Sequence, residues 1–178
     1  YTGEDGFELY IPADAAPPMW DRLFEAGDGE LIAVGLGARD TLRLEMKYAL
    51  YGNDIDEQTT PLEAGLGWVT KLDHDFIGRD ALQAQKDNGL TRRLVAFVMS
   101  GRAIARHGYS VVDDNGEAIG KVTSGTRSPS LGQNIGLAYV PIGRHRIGMH
   151  LKIEVRGEPE EATIVKPPFV TPKSTKND

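Results

Sequence analysis

Three short stretches carry the residues that could do chemistry. In YTGEDGFEL, from Tyr1 to Leu9, Glu4 and Asp5 sit in a glycine-bounded turn and Glu8 lies between Phe7 and Leu9 on the segment that follows. A carboxylate fixed at the start of a strand accepts two N–H donors side by side, the geometry an amino-pyrimidine edge presents. Charge-assisted contacts of that kind are roughly twice as strong as neutral ones. The alternative is a carboxylate on the solvent face of an amphipathic strand. In GLGARDTLRLE, the Arg39 fork suits a carboxylate or a phosphate, or else an intramolecular pair with a neighbouring acid. Arg43 and Glu45 read as structural, with Asp40 and Lys47 as partners three or four residues away. The third stretch, LYGNDIDEQTTPLEAGLGW, gathers Asn53, Asp54, Asp56, Glu57 and Glu63. A calcium loop of the EF-hand type needs glycine at its sixth position, where this run has Gln58, so no metal site is expected.

Other chemistries find less support. His74, His107, His145 and His150 lack the spacing of a preformed metal site and have no Ser or Cys partner in a nucleophile setting. GLGARD has neither the GxGxxG nor the GxxxxGK[ST] order, which argues against a nucleotide fold. A net charge of −6 and a pI near 5.3 give no overall attraction to nucleic acid or anionic lipid, although Arg102, Arg106, His107, Arg144, His145 and Arg146 concentrate positive charge locally. Nucleic acid and membrane are therefore not expected as partners. The absence of cysteine excludes disulfides and thiolate catalysis and fits a reducing compartment. There is no apolar run of eighteen or more residues.

The elements that must position these residues fall into two styles, with a boundary expected in KDNGLT, residues 86–91. Before it, helix and strand mix. Phe7, Leu9 and Ile11 alternate as in a strand, Asp14 is placed to cap a helix over 15–26, and Ile32, Val34 and Leu36 alternate again. A helix over 38–46 puts Ala38, Leu42 and Met46 on one face. After the boundary, LVAFVMS, YSVVDDNGEAIGKVTSG, NIGLAYV and HLKIEVRGEPEEATIVK are short β-rich runs broken by turns at Asn115-Gly116 and at residues 157–159. Such spacing suggests a small barrel or sandwich. The tail from Pro167 is proline-rich and polar, and its last residues are expected to be mobile.

In order and spacing, the three opening stretches resemble the aminomethyltransferase of the glycine cleavage system, the T-protein, from past its middle to its C-terminus. An opening without Met, inside an apparent turn, leads to the expectation that residues precede Tyr1. The resemblance implies an α+β fold. Residues 1–88 would be the C-terminal part of a mixed α/β folate-binding domain, 89–170 a C-terminal β-barrel domain and 171–178 a flexible tail. It implies transfer of the one-carbon unit from the aminomethyl-lipoyl arm of the H-protein to tetrahydrofolate, giving 5,10-methylenetetrahydrofolate and ammonia. Glu8 becomes the pterin-binding glutamate, Tyr1 its neighbour and Arg39 a folate ligand, while Tyr51, Asp54 and Trp68 surround the cavity, with core packing expected for Trp68. No catalytic residue is assigned within the chain, because the family's aspartate near the folate N5 has no counterpart here, so the isolated chain is expected to be inactive. No metal is implied. The compartment would be the cytoplasm in a bacterium or the mitochondrial matrix in a eukaryote. TSGTRSPSLG, residues 123–132, resembles a family loop, although Arg127 stands where an aromatic is usual. A folate-binding domain of a flavin-linked dimethylglycine or sarcosine oxidising enzyme, or a non-catalytic folate-binding protein of this fold, is the alternative. An exposed apolar surface with oligomerisation or partial disorder in residues 1–50 is also expected.

Overall fold

The run RRLVAFVM has no polar–apolar alternation, and the computed structural model, which describes residues 1–172, gives the reason. β1 (Arg92–Met99) is covered on both faces. It is the first of six antiparallel strands, followed by β2 (Ser110–Val112), β3 (Ala118–Arg127), β4 (Asn134–Pro141), β5 (His150–Val155) and β6 (Glu158–Val165). They close into a barrel in the order β1-β4-β3-β2-β5-β6, with β6 pairing back to β1. The fold is α+β, with three helices ahead of the barrel: α1 (Ala16–Ala26), α2 (Leu36–Glu45) and α3 (Arg79–Asn88).

Alternate residues of β1 and β4 serve two cores. Val95, Phe97 and Met99 point inward with Ala138 and Val140, meeting Val111, Val122, Ile153 and Ile164. Leu94 and Ala96 point outward with Ile135, Leu137 and Tyr139, and Leu44 of α2 packs on them. Each such large apolar side chain contributes about 1.5–3 kcal/mol on burial. α2 is therefore fastened to the outside of the barrel wall. Turns follow their residues. Asp113 accepts hydrogen bonds from the Asn115 and Glu117 amides at 2.9 and 3.0 Å, closing the β2–β3 hairpin. Arg156 and Gly157, at φ of 57° and 88°, close β5–β6 in the primed geometry that matches strand twist.

Four expectations are corrected. The alternating segments at residues 7–11 and 32–36 form no strand, and Leu36 opens α2 instead. Alternation marks a segment that can enter a ladder, but a ladder also needs a partner strand, and these have none among the described residues. Asp14 lies in a 3-10 turn, Ala13–Ala15, and α1 has no side-chain cap. The TSGTRSPSLG segment is not all loop, since β3 continues through Arg127. Trp68 is not packed in a core: it is 75% exposed. The expected flexible tail lies, from Lys173 onward, outside the described residues.

Candidate functional site

α2 holds the site residues. Its apolar face is anchored on the barrel by Leu44, so Arg39, Asp40 and Arg43 are carried on a fixed support. The Arg39 guanidinium stacks over the Tyr1 ring, 4.3 Å from its centroid. Tyr1 in turn stacks on Tyr48, with ring centroids 6.0 Å apart and planes inclined by 20°. The Tyr1 hydroxyl donates to the Ala49 carbonyl at 2.9 Å. A cation, two aromatic faces and a backbone carbonyl thus converge at the helix. Such a group can stack a flat ring and pair an anion.

Arg43, one turn further, is fully buried, and its guanidinium ties three segments together. Nε and Nη2 contact Asp40 Oδ1 at 2.8 and 2.6 Å, Nη1 pairs with Asp54 and donates to the Tyr48 carbonyl at 3.1 Å, and Nη2 donates to Ser124 Oγ at 2.8 Å. Asp54 completes the network. Its carboxylate accepts from Thr123 Oγ1 at 2.5 Å, Ser124 Oγ at 2.7 Å and the Leu50 amide at 2.9 Å, while the Tyr139 hydroxyl donates to its carbonyl at 2.9 Å. Thr123 and Ser124 are consecutive, which on a regular strand would point them to opposite faces. The register of β3 against β4 shifts between Val122 and Ser124, and this bulge brings both hydroxyls to the one carboxylate.

Glu45 makes a second tie, accepting from Ser128 Oγ at 2.5 Å and Ser130 Oγ at 2.9 Å, while its carbonyl receives the Phe169 amide at 2.8 Å. Beyond α2, Glu63 is also buried. Burial favours its neutral acid, but the Thr60 amide at 3.0 Å and Arg92 at 3.1 Å outweigh that and hold its carboxyl below the usual glutamate range. Burial likewise pushes the Tyr139 hydroxyl well above the ordinary tyrosine value.

The structure brings Tyr1 and Arg39 together and adds Tyr48 to them. Glu8 accepts a hydrogen bond from the Tyr10 hydroxyl at 2.8 Å on an exposed segment, an interaction that raises the Tyr10 pKa. Asp54 borders a cleft of 340 Å³ with Arg92, His107 and Lys121, and Trp68 borders another of 780 Å³. Tyr51 is exposed and bridges to Ile55. Tyr48 was not foreseen. Its signal in the sequence is weak, an aromatic three residues past the helix end. The structural reading of Arg43 was right about Asp40 but missed Asp54 and Ser124, which are distant in sequence. Among the described residues no cluster of His, Asp or Glu could hold a metal ion, and no helix is long and apolar enough to cross a membrane.

Comparison with known proteins accounts for both parts of this architecture. Residues 1–74 match the family model described as the GCVT N-terminal domain, and residues 92–171 match the glycine cleavage T-protein C-terminal barrel domain. The chain belongs to the glycine cleavage T-protein family. An aminomethyltransferase of Nostoc sp. is 53% identical over 171 residues, covering 95% of this chain and 44% of that protein. One from Bacteroides thetaiotaomicron is 53% identical over 172 residues, covering 95% and 48%. The crystal structure of the glycine cleavage system aminomethyltransferase T from Bartonella henselae superposes with a TM-score of 0.92 at 37% identity, over 99% of this chain and 49% of that one. The chain thus spans about half the length of the T-protein relatives it matches.

Proposed function

We propose that this chain is the folate-holding and barrel portion of a glycine cleavage aminomethyltransferase. The parent reaction passes the one-carbon unit from the aminomethyl-lipoyl arm of the H-protein to tetrahydrofolate, giving 5,10-methylenetetrahydrofolate and releasing ammonia. In this reading residues 1–88 belong to the folate-binding domain and 89–170 to the barrel domain. Arg39 pairs an anionic group of the folate, Tyr1 and Tyr48 provide stacking faces, and Glu8 receives the paired N–H groups of the pterin edge. The chain contributes positioning, which alone supplies several kcal/mol in a bimolecular transfer. Proton transfer at the folate N5 falls to an aspartate outside these residues, so the isolated chain binds without turnover.

The observation that carries the proposal is the stacking of Arg39 on Tyr1, and of Tyr1 on Tyr48, beside a helix anchored to the barrel. Titration of the chain with tetrahydrofolate by calorimetry tests it, with Glu8→Ala and Arg39→Ala in parallel. Saturable binding weakened in both variants is expected, by about tenfold or more for loss of a charged contact. Binding of equal strength in all three proteins would sink these assignments.

A further inference from the structure

Lys47 occupies an unusual position just past the end of α2. Its φ is 59°, in the left-handed region that favours glycine. Its ammonium is drawn into the protein and donates one hydrogen bond, to the Ala64 carbonyl at 3.1 Å. An ammonium has three N–H donors, so two are left over. The adjacent Gly65 leaves room beside it, since a side-chain carbon there would stand 3.1 Å from Lys47 Nζ. No carboxylate among the described residues forms an ion pair with Lys47.

Arg93 is the second part. It enters no ion pair and no side-chain hydrogen bond among the described residues. With Lys47 and Gly65 it lines a cleft of 300 Å³, and with Gly65 it also lines the cleft of 780 Å³. The larger cleft adds Lys71, Lys86 and the exposed indole of Trp68, with Asp73 the acid among its lining residues. Lys47 and Arg93 thus share the smaller cleft and Arg93 reaches the larger one, which Lys71, its ammonium on the Trp68 carbonyl at 3.2 Å, and Lys86 also line, on a chain whose net charge is −6. Like charges brought together without a counter-ion repel, and an anion placed between them removes that penalty. The volumes fall in the range of small-molecule sites.

We propose that Lys47 and Arg93 anchor an anion-binding site at the junction of these clefts. It takes a ligand with two or more carboxylate or phosphate groups, whose apolar part rests on Trp68. None of Tyr1, Arg39 and Tyr48 lines either cleft, while Trp68 is one of the residues the family resemblance sets around the folate cavity. The electrostatics agree with the geometry. Burial, and then the charge of Arg93, hold the Lys47 ammonium below the usual lysine value, with Asp54 partly opposing. A bound anion restores it.

Calorimetric titration of the chain at low ionic strength with tripolyphosphate, and separately with citrate, tests the proposal. Lys47→Gly removes the ammonium and suits the backbone angle, and Arg93→Gln provides a second variant in case the first fails to fold. Saturable binding of at least one probe is expected, weakened about tenfold in each folded variant, as for loss of a hydrogen bond to a charged group. Binding confined to tripolyphosphate identifies phosphate as the ligand chemistry; binding confined to citrate identifies carboxylate. No saturable binding of either probe, or unchanged affinity in the variants, overturns the proposal.

Discussion

Asp54 is buried, charged and surrounded by donors: the Arg43 guanidinium, two hydroxyls and a backbone amide all end on its carboxylate. Its removal leaves the buried Arg43 charge with Asp40 alone as an acidic partner. Breaking such a pair from one side costs about 3–5 kcal/mol, far more than an exposed pair contributes. Asp54→Ala is therefore expected to lower the unfolding free energy by that amount, read as a lower urea midpoint at unchanged slope. The double variant Arg43→Met/Asp54→Leu, which removes both charges, is expected to lose less than Asp54→Ala alone. A double variant as unstable as the sum of its singles would contradict this account of the network.

At the scale of elements, two glycines separate packing from chain entropy. Gly136 of β4 faces the barrel interior, where an added side-chain carbon would overlap the Phe97 ring and stand 2.8 Å from the Ser124 carbonyl oxygen. Gly136→Ala is expected to destabilise the barrel by about 1–3 kcal/mol through overpacking. Gly37 of α2 has open space around it. Gly37→Ala is expected to stabilise by about 0.4–1 kcal/mol by restricting the unfolded chain. Thermal denaturation of the two variants reads both signs, and the same sign for both would refute the argument. Elements were also where the sequence was most and least legible. Hairpin chemistry at Asn115-Gly116 and the apolar runs of β1 and β4 could be read locally, because turns and burial are set by neighbouring residues. The idle alternation at residues 7–11 and 32–36 could not be read, since pairing depends on a strand elsewhere. The same limit hid Tyr48 beside Tyr1 and Ser124 beside Arg43. Ser124 meets Arg43 because α2 docks on the barrel, and Tyr1 meets Tyr48 because the start of the chain packs against the segment after α2, and neither contact leaves a periodic trace in the sequence.

Over the whole molecule, apolar surface is unevenly shared. The barrel strands enclose their large apolar side chains, while the segment before α2 leaves Phe7 98% exposed and Leu36, at the start of the helix, 83% exposed, with Tyr10, Ile32 and Val34 also open to solvent. Apolar patches of this kind drive association. Sedimentation velocity is expected to show concentration-dependent self-association, reduced in the triple variant Phe7→Ser/Ile32→Ser/Leu36→Ser. A single monomer boundary at every concentration would count against it. The closure of β6 onto β1 bears on what form that association takes. A sheet with an open border offers unpaired backbone N–H and C=O groups as a template for a stranger's strand, and that is how fibrils are seeded. This barrel has no such border. Clusters formed by the chain would then be held by side chains and salt-insensitive contacts, dispersing when the greasy patch is covered by a mild detergent, and the barrel itself would remain a poor seed for amyloid.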